Sequence, residues 1–134
     1  MKTKLAVLAI AVAILAATVP VFAHHSFAAQ YDANKKISLE GVVTKVEWMN
    51  PHMYFYLNVT DAAGKVNNWA FENGNLSGLL RRGWRKDSLK TGDKVTVNGS
   101  LAKDGSRLVN AQTVTLSDGR KVFAGSSAGD DYKP

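Results

Sequence analysis

The stretch from Ser38 to Thr60 constrains the fold of this 134-residue chain more than any other. Within it, residues 53–60 alternate apolar side chains with tyrosines or polar side chains, which is the period of a strand with one buried face. The preceding residues change the parity of their apolar side chains at Gly41, and an isolated glycine in a strand pattern predicts a β-bulge. Pro51 has no N–H for a ladder and favours a turn. We therefore predict two strands, 37–49 and 53–60, joined by a tight turn.

The rest of the chain predicts a mainly β domain with one short helix. Leucines recur at helical spacing from Leu76, an asparagine precedes them as a cap, and Gly83 follows as a stop. The other predicted elements are strands at 66–72, 94–101, 107–116 and a short one at 121–123. A long bulged first strand and a helix between strands three and four are typical of a small five-stranded OB-fold barrel. A meander or small sandwich is the alternative.

The N-terminus has the pattern of a secretory signal peptide. Lys2 and Lys4 precede an apolar run at 5–19, and residues 21–23 offer small or permissive side chains at the positions that a signal peptidase reads. We predict a signal peptide at 1–23, cleavage after Ala23 and export to the periplasm, with no stable membrane span after cleavage. The alternatives are an uncleaved anchor and a cut after Ala28.

Cleavage would define the mature domain and its charge. We predict an N-terminal arm at 24–36, an OB-like β-barrel domain at 37–123 and a disordered tail at 124–134. Removal of 1–23 takes two lysines from the 17 basic residues and leaves a net charge of +4. The chain has no cysteines, so the domain must rely on its core or on a ligand. Export also disfavours nucleic acid as a partner, although OB folds often bind it.

Five segments cover nearly all of the mature chain with a distinctive pattern. They are HHSFAAQYDANK, GVVTKVEWMNPHMYFYLNV, NWAFENGN, LLRRGWRKDSLKTGDKVTVNG and KDGSRLVNAQTVTLSDGRKVFAG. In these segments the chain resembles a family of small exported bacterial proteins that is known only as a domain of unknown function. The resemblance implies a periplasmic protein of one domain and transfers no activity. More loosely, the layout is similar to that of other periplasmic OB-fold proteins.

The three histidines are the candidate metal ligands. Cleavage after Ala23 would make His24 the first residue, and its amine and ring Nδ1 could together chelate one metal ion. With a further imidazole from His25 or His52, such a nitrogen site suits Cu(II) first and Zn²⁺ second. By this motif alone, the site resembles the N-terminal histidine sites of periplasmic copper carriers and copper monooxygenases. In the alternative, the first two histidines are solvated and His52 hydrogen-bonds its turn.

The sequence places His52 and the first two histidines at opposite ends of the first strand. His52 follows strand one, whereas the arm joins the opposite end of that strand. The strand would span about 43 Å if it were straight. The arm from His25 to Lys36 would reach about 40 Å at full extension. Contact is therefore permitted without being required.

Aromatic side chains on the first three strands are candidate ligand-binding residues. Tyr54 and Tyr56 have the opposite parity to the apolar residues of their strand, so we expect them on an exposed face. With Trp48 and Trp69 they could stack on a sugar or planar ligand, as on the binding face of other OB barrels. The alternative places both tryptophans in the core.

A basic segment follows the helix. Arg81, Arg82, Arg85 and Lys86 surround Trp84 and could hold a phosphate, an anionic headgroup or an acidic partner. Basic residues at a helix C-terminus are also expected from the helix dipole alone, with their side chains in solvent.

No catalytic motif is apparent. The chain lacks H-E-x-x-H and cysteine, and four of its eight aspartates fall in predicted turns. Glu40, Glu47 and Glu72 lie on predicted strands, where they could pair with lysines across the sheet. The sequence therefore predicts a non-enzymatic periplasmic binding module for an unknown protein or cell-envelope ligand. The alternative is a copper-binding or copper-handling protein.

Overall fold

A computed structural model describes residues 27–125 of the chain. A helical turn at 27–30 leads into the first strand, and the predicted mainly β fold with a short helix between the third and fourth strands is confirmed. The elements are β1 (Tyr31–Glu47), β2 (Tyr54–Thr60), β3 (Val66–Glu72), α1 (Leu76–Arg81), β4 (Lys94–Ala102), β5 (Leu108–Leu116) and β6 (Lys121–Phe123).

The strands are hydrogen-bonded in the order β3-β2-β1-β4-β5-β6. Neighbours in this order are antiparallel, and β3 also pairs with β5 in parallel through residues 70–72 and 108–110. The pairings of β1 to β5 therefore run in a closed ring, and β6 extends the sheet beyond β5. One half of β1 pairs with β4 and the other half with β2, so this strand passes from one side of the ring to the other.

The core is formed by the side chains that the period of two predicts. Phe55 on β2 and Phe71 on β3 are register partners whose rings stack with centroids 5.0 Å apart. Burial of one such large apolar side chain contributes about 1.5–3 kcal/mol. The cluster also contains Val43, Met53, Leu57, Leu79, Trp84, Val97, Val109 and Val114. Leu79 extends it to the helix α1.

The helix α1 has the caps that its sequence predicts. The side chain of Asn75 accepts a hydrogen bond from the Gly78 N–H at 2.8 Å, which satisfies a backbone donor in the first turn. Gly83 has φ of +91°, the left-handed conformation that commonly ends a helix.

The first strand is longer than the prediction, and its bulge lies elsewhere. It begins at Tyr31 instead of Ile37, so residues 31–36 of the predicted arm are part of the sheet. The side chains at 33–36 are all exposed, so the sequence shows no alternation there. The register with β2 shifts between Val43 and Lys45, and Gly41 pairs regularly with Val95.

Gly41 has a steric role in place of the predicted bulge. A Cβ at this position would lie 2.5 Å from the carbonyl oxygen of Asn58 on the neighbouring strand. The glycine therefore permits close approach of two strands, which is the other common reason for a glycine within a strand.

The predicted tail is also shortened by the structure. Ala124 and Gly125 are buried. The Ala124 N–H donates to the carbonyl of Gln112, and the Ala124 carbonyl accepts from the Gly74 N–H, each at 2.9 Å.

The predicted signal peptide, His24, His25 and residues 126–134 lie outside the described residues. Within 27–125, none of the helices has the length and apolar character needed to cross a membrane.

Candidate functional site

A nearly buried carboxylate, Glu72, is the centre of the candidate site. It ends β3 with only 3% of its surface exposed, and it faces away from the core because its neighbour Phe71 points inward. Its register partners are Tyr54 on β2 and Asn110 on β5. Burial of a carboxylate is unfavourable unless hydrogen-bonding or charged groups surround it.

Three side chains converge on this carboxylate. The hydroxyl of Tyr31 donates to Glu72 Oε2, and His52 Nδ1 lies 2.5 Å from Oε1. Tyr54 lies directly opposite Glu72, and the carboxylate helps to raise the pKa of its phenol. We refer to Tyr31, His52, Tyr54 and Glu72 as the Glu72 cluster.

The position of His52 leaves one ring nitrogen available to a ligand. A hydrogen bond to Glu72 requires the Nδ1 proton, so Nε2 is the ring atom that remains free of this contact. About a third of the side chain, 32%, is exposed. A carboxylate that orients an imidazole in this manner is the usual support of a histidine that binds metal through its other nitrogen. His52 is thus held in the tautomer that a metal ligand needs.

The N-terminal part of the described chain packs on the same cluster. The ring of Phe27 stacks on that of Tyr31, with centroids 5.6 Å apart. The Lys103 N–H donates to the Gln30 carbonyl at 2.9 Å, and Lys103 Nζ donates to the Ala28 carbonyl. These contacts hold residues 27–31 beside Glu72.

This packing changes the geometry that the sequence suggests for the histidines. The closed ring of pairings brings Tyr31, at the start of β1, against Glu72 at the end of β3. The length of β1 therefore does not separate the start of the chain from His52. His25 precedes Phe27 by two residues, about 7 Å of extended chain.

Burial and the carboxylate keep the two phenols of the cluster neutral. The pKa of Tyr31 is raised above its ordinary value, first by burial and then by its hydrogen bond to Glu72 and the charge of that group. The pKa of Tyr54 is raised by burial first and by the charge of Glu72 second. Both phenols are therefore hydrogen-bond donors at neutral pH.

Tyr56 extends this outer surface away from Glu72. Its hydroxyl donates to Glu47 Oε2 at 3.0 Å, and Lys45 pairs with the same carboxylate while its Nζ lies 5.4 Å from the Tyr56 ring centroid. Tyr54 and Tyr56 are both half-buried on the outer face of β2. Trp48 and Trp69 are partly buried and pack against the core cluster.

The glutamates on strands have different partners. Glu40 pairs across the sheet with Lys94 at 2.7 Å, as expected from the sequence. Glu47 pairs with Lys45 of its own strand. The prediction for Glu72 is wrong, because its partners are a histidine and a tyrosine and no lysine.

Sequence reasoning missed Glu72 and Tyr31 as site residues, since they are 41 positions apart and neither carries a motif.

The basic segment at the end of α1 surrounds a buried tryptophan. Trp84 is only 1% exposed, and its Nε1–H donates to the Phe123 carbonyl at 2.9 Å, so it anchors β6 to the core. It therefore offers no surface to a ligand, contrary to the prediction. The basic side chains of the segment are exposed. The Arg82 guanidinium lies 4.3 Å from the Phe123 ring centroid, and Arg85 Nη1 donates to the Trp84 carbonyl.

His52 has too few neighbours within the described chain for a complete metal site. No group of three or more His, Cys, Asp or Glu side chains between residues 27 and 125 is placed to hold a metal ion. Any metal at His52 would need further ligands from residues outside 27–125 or from a second molecule.

Comparison with known proteins identifies a family whose function is unknown. No curated protein matches the chain. The family described as "Family of unknown function (DUF6152)" matches residues 11–111, which is most of the chain and includes the whole Glu72 cluster. The chain therefore belongs to this family of unknown function.

Proposed function

We propose that the protein is an exported, non-enzymatic binding module whose ligand site is the Glu72 cluster, and that Cu(II) is the ligand this site suits best. The observation that carries the proposal is the pairing of His52 Nδ1 with the nearly buried Glu72 at 2.5 Å. The same carboxylate accepts a hydrogen bond from Tyr31, which follows the chain segment that leads to His24 and His25.

The scaffold and the location are part of the same proposal. The closed ring of pairings among β1 to β5, with a helix between β3 and β4, supports an OB-type barrel. The apolar run at 5–19, flanked by Lys2 and Ala23, supports export to the periplasm by a cleaved signal peptide.

The copper site would need an N-terminal histidine and an imidazole from the folded domain. After cleavage at Ala23, His24 supplies its amine and Nδ1, and His52 supplies Nε2. Phe27 is three positions beyond His24, about 10 Å of extended chain, and its ring is held against that of Tyr31. Three nitrogen donors favour Cu(II), with Zn²⁺ as the weaker alternative. His25 is a further candidate ligand.

Copper titration of the mature protein tests this proposal. We expect a chain starting at His24 to bind one Cu(II) tightly, with nitrogen ligands detected by electron paramagnetic resonance. His52→Ala should weaken binding at least tenfold, and Glu72→Gln should weaken it by about 10- to 100-fold because the imidazole loses its orienting partner. Competition calorimetry against a known chelator measures each affinity.

Two controls make the copper test specific. Glu47→Gln removes an outer-face carboxylate that does not contact His52, so the copper affinity should not change. A chain that keeps residues 21–23 ahead of His24 displaces the free amine and should bind weakly. Extension by one or two residues is unsuitable, because it places a histidine third and creates a different chelate with the amine. Equal affinity of the His52→Ala and wild-type proteins would exclude His52 as a ligand.

The outer face of β2 supports a second candidate, the binding of a stacking ligand from the cell envelope. Tyr54 and Tyr56 point outward side by side, with rings that are half-buried. We expect oligomers of N-acetylglucosamine, used as the probe, to shift the NMR signals of these rings. Tyr54→Ala with Tyr56→Ala should abolish the shift and leave the circular dichroism spectrum native. An unfolded double variant would show that the rings are structural, and an unchanged sugar response would exclude this surface.

A further inference from the structure

A groove of about 780 Å³ lies on the outer face of β5 and β6, away from the Glu72 cluster. The side chains that line it include two cations, one aromatic ring and three neutral polar groups. They are Arg82, Lys121, Phe123, Asn98, Gln112 and Thr113.

The charge of this groove favours an acidic occupant with an apolar or aromatic part. The Arg82 guanidinium lies 4.3 Å from the centroid of the Phe123 ring, so a cation and an aromatic surface are adjacent. Lys121, which is exposed at the start of β6, adds a second positive charge. Within the described residues, no carboxylate side chain lines the groove.

The described chain ends at the edge of the same groove. Ala124 is held by hydrogen bonds to Gln112 and Gly74, each 2.9 Å long. The next residue, Gly125, lies so close to Arg82 that a Cβ on it would be 3.1 Å from Arg82 Nη1. The chain therefore passes the arginine of the groove as it leaves the described region.

The remaining residues have the composition that the groove favours. Residues 126–134 read SSAGDDYKP, with two adjacent carboxylates at Asp130 and Asp131 followed by the ring of Tyr132. Asp130 is five residues beyond Gly125 and can reach about 17 Å. A groove across three neighbouring strands is only about 10 Å wide.

We propose that the C-terminal segment 126–134 occupies this groove, with Asp130 and Asp131 paired with Arg82 and Lys121. The segment is then an intramolecular ligand, and any acidic partner that uses the groove must displace it. This inference concerns a different face from the copper proposal and does not depend on it.

Disulfide trapping tests the proposal, because the natural chain has no cysteines to interfere. The test variant combines Thr113→Cys in the groove with Tyr132→Cys in the segment. The control combines Ser106→Cys with Tyr132→Cys, since Ser106 is seven residues from Thr113, about 23 Å along the chain direction of β5. Equilibration of the mature protein in glutathione buffers gives the effective concentration of each thiol pair.

We expect the Thr113 pair to have an effective concentration at least tenfold above that of the Ser106 pair. Asp130→Asn with Asp131→Asn should remove this difference, and so should 1 M NaCl. Equal effective concentrations in the two thiol pairs would overturn the proposal. Disulfides formed mainly between molecules would also overturn it and would indicate that the segment binds a second copy.

Discussion

Gly74→Ala is expected to destabilise the domain by about 3 kcal/mol, the upper end of the usual cost of overpacking, because the site lacks room for a single methyl group. A Cβ at Gly74 would lie 1.8 Å from the carbonyl oxygen of Gly125, and backbone atoms cannot move aside as a flexible side chain can. The Gly74 N–H also donates to the Ala124 carbonyl at 2.9 Å, so displacement of one segment breaks the other contact. Urea unfolding followed by tryptophan fluorescence measures the loss.

Gly78→Ala is the matched control for this substitution. Gly78 lies in α1, where alanine is intrinsically favoured over glycine by about 1 kcal/mol. A Cβ there would meet only the Asn75 side chain within 4 Å, at a closest distance of 3.3 Å. We expect the free energy of unfolding to change by less than about 1 kcal/mol. Similar losses for both variants would contradict the steric explanation for Gly74.

A steep loss of stability above pH 10 is the second large expected effect. The pKa values of Tyr31 and Tyr54 are raised in the folded protein, mainly by burial. Between the unfolded and folded pKa values, the unfolded chain releases tyrosine protons that the folded chain retains. The free energy of unfolding should therefore fall as pH rises above about 10, by up to about 1.4 kcal/mol per pH unit for the buried Tyr31 and by less for the partly exposed Tyr54, whose charge solvent screens. Below pH 9 these phenols should contribute no pH dependence.

Tyr31→Phe isolates the contribution of one phenol. The variant keeps the ring that Phe27 contacts and removes only the hydroxyl bonded to Glu72. In metal-free buffer, the slope of unfolding free energy against pH above 10 should be smaller than that of the wild type by about 1.4 kcal/mol per pH unit. Urea unfolding at a series of pH values gives both slopes. Parallel curves would show that Tyr31 does not retain its proton in the folded state.

Local sequence patterns predict the elements whose structure depends on neighbouring residues. The strand β2 follows from its alternation, and α1 follows from the leucine spacing with a cap at Asn75 and a stop at Gly83. The start of β1 has no such signal, because its side chains at 33–36 are all exposed while Tyr31 and Lys36 pair with β4. The bulge in β1 depends on the register of two partner strands, so a glycine alone predicts it at the wrong residue.

Only part of the candidate site can be predicted from the sequence, because the rest depends on contacts between strands that are distant in the chain. His52 and Tyr54 are adjacent to a recognisable turn and were identified from the sequence. Glu72 and Tyr31 become site residues only when the ring of pairings closes, since one ends β3 and the other begins β1. The residue pattern within either strand does not predict the contact between Tyr31 and Glu72. The ligand set before residue 27 was proposed from chemistry, and the structure describes only the chain that leads to it.

The shared use of β1 has a consequence for how the domain can unfold. Since one strand contributes backbone hydrogen bonds to both β2 and β4, separation of the ring into two halves removes a partner from each half. The parallel contact of residues 70–72 with 108–110 adds a link between segments distant in sequence. Neither half is therefore an autonomous folding unit. Heat or denaturant should melt residues 31–123 in a single cooperative transition, and peptides cut within β1 should remain unstructured when separated.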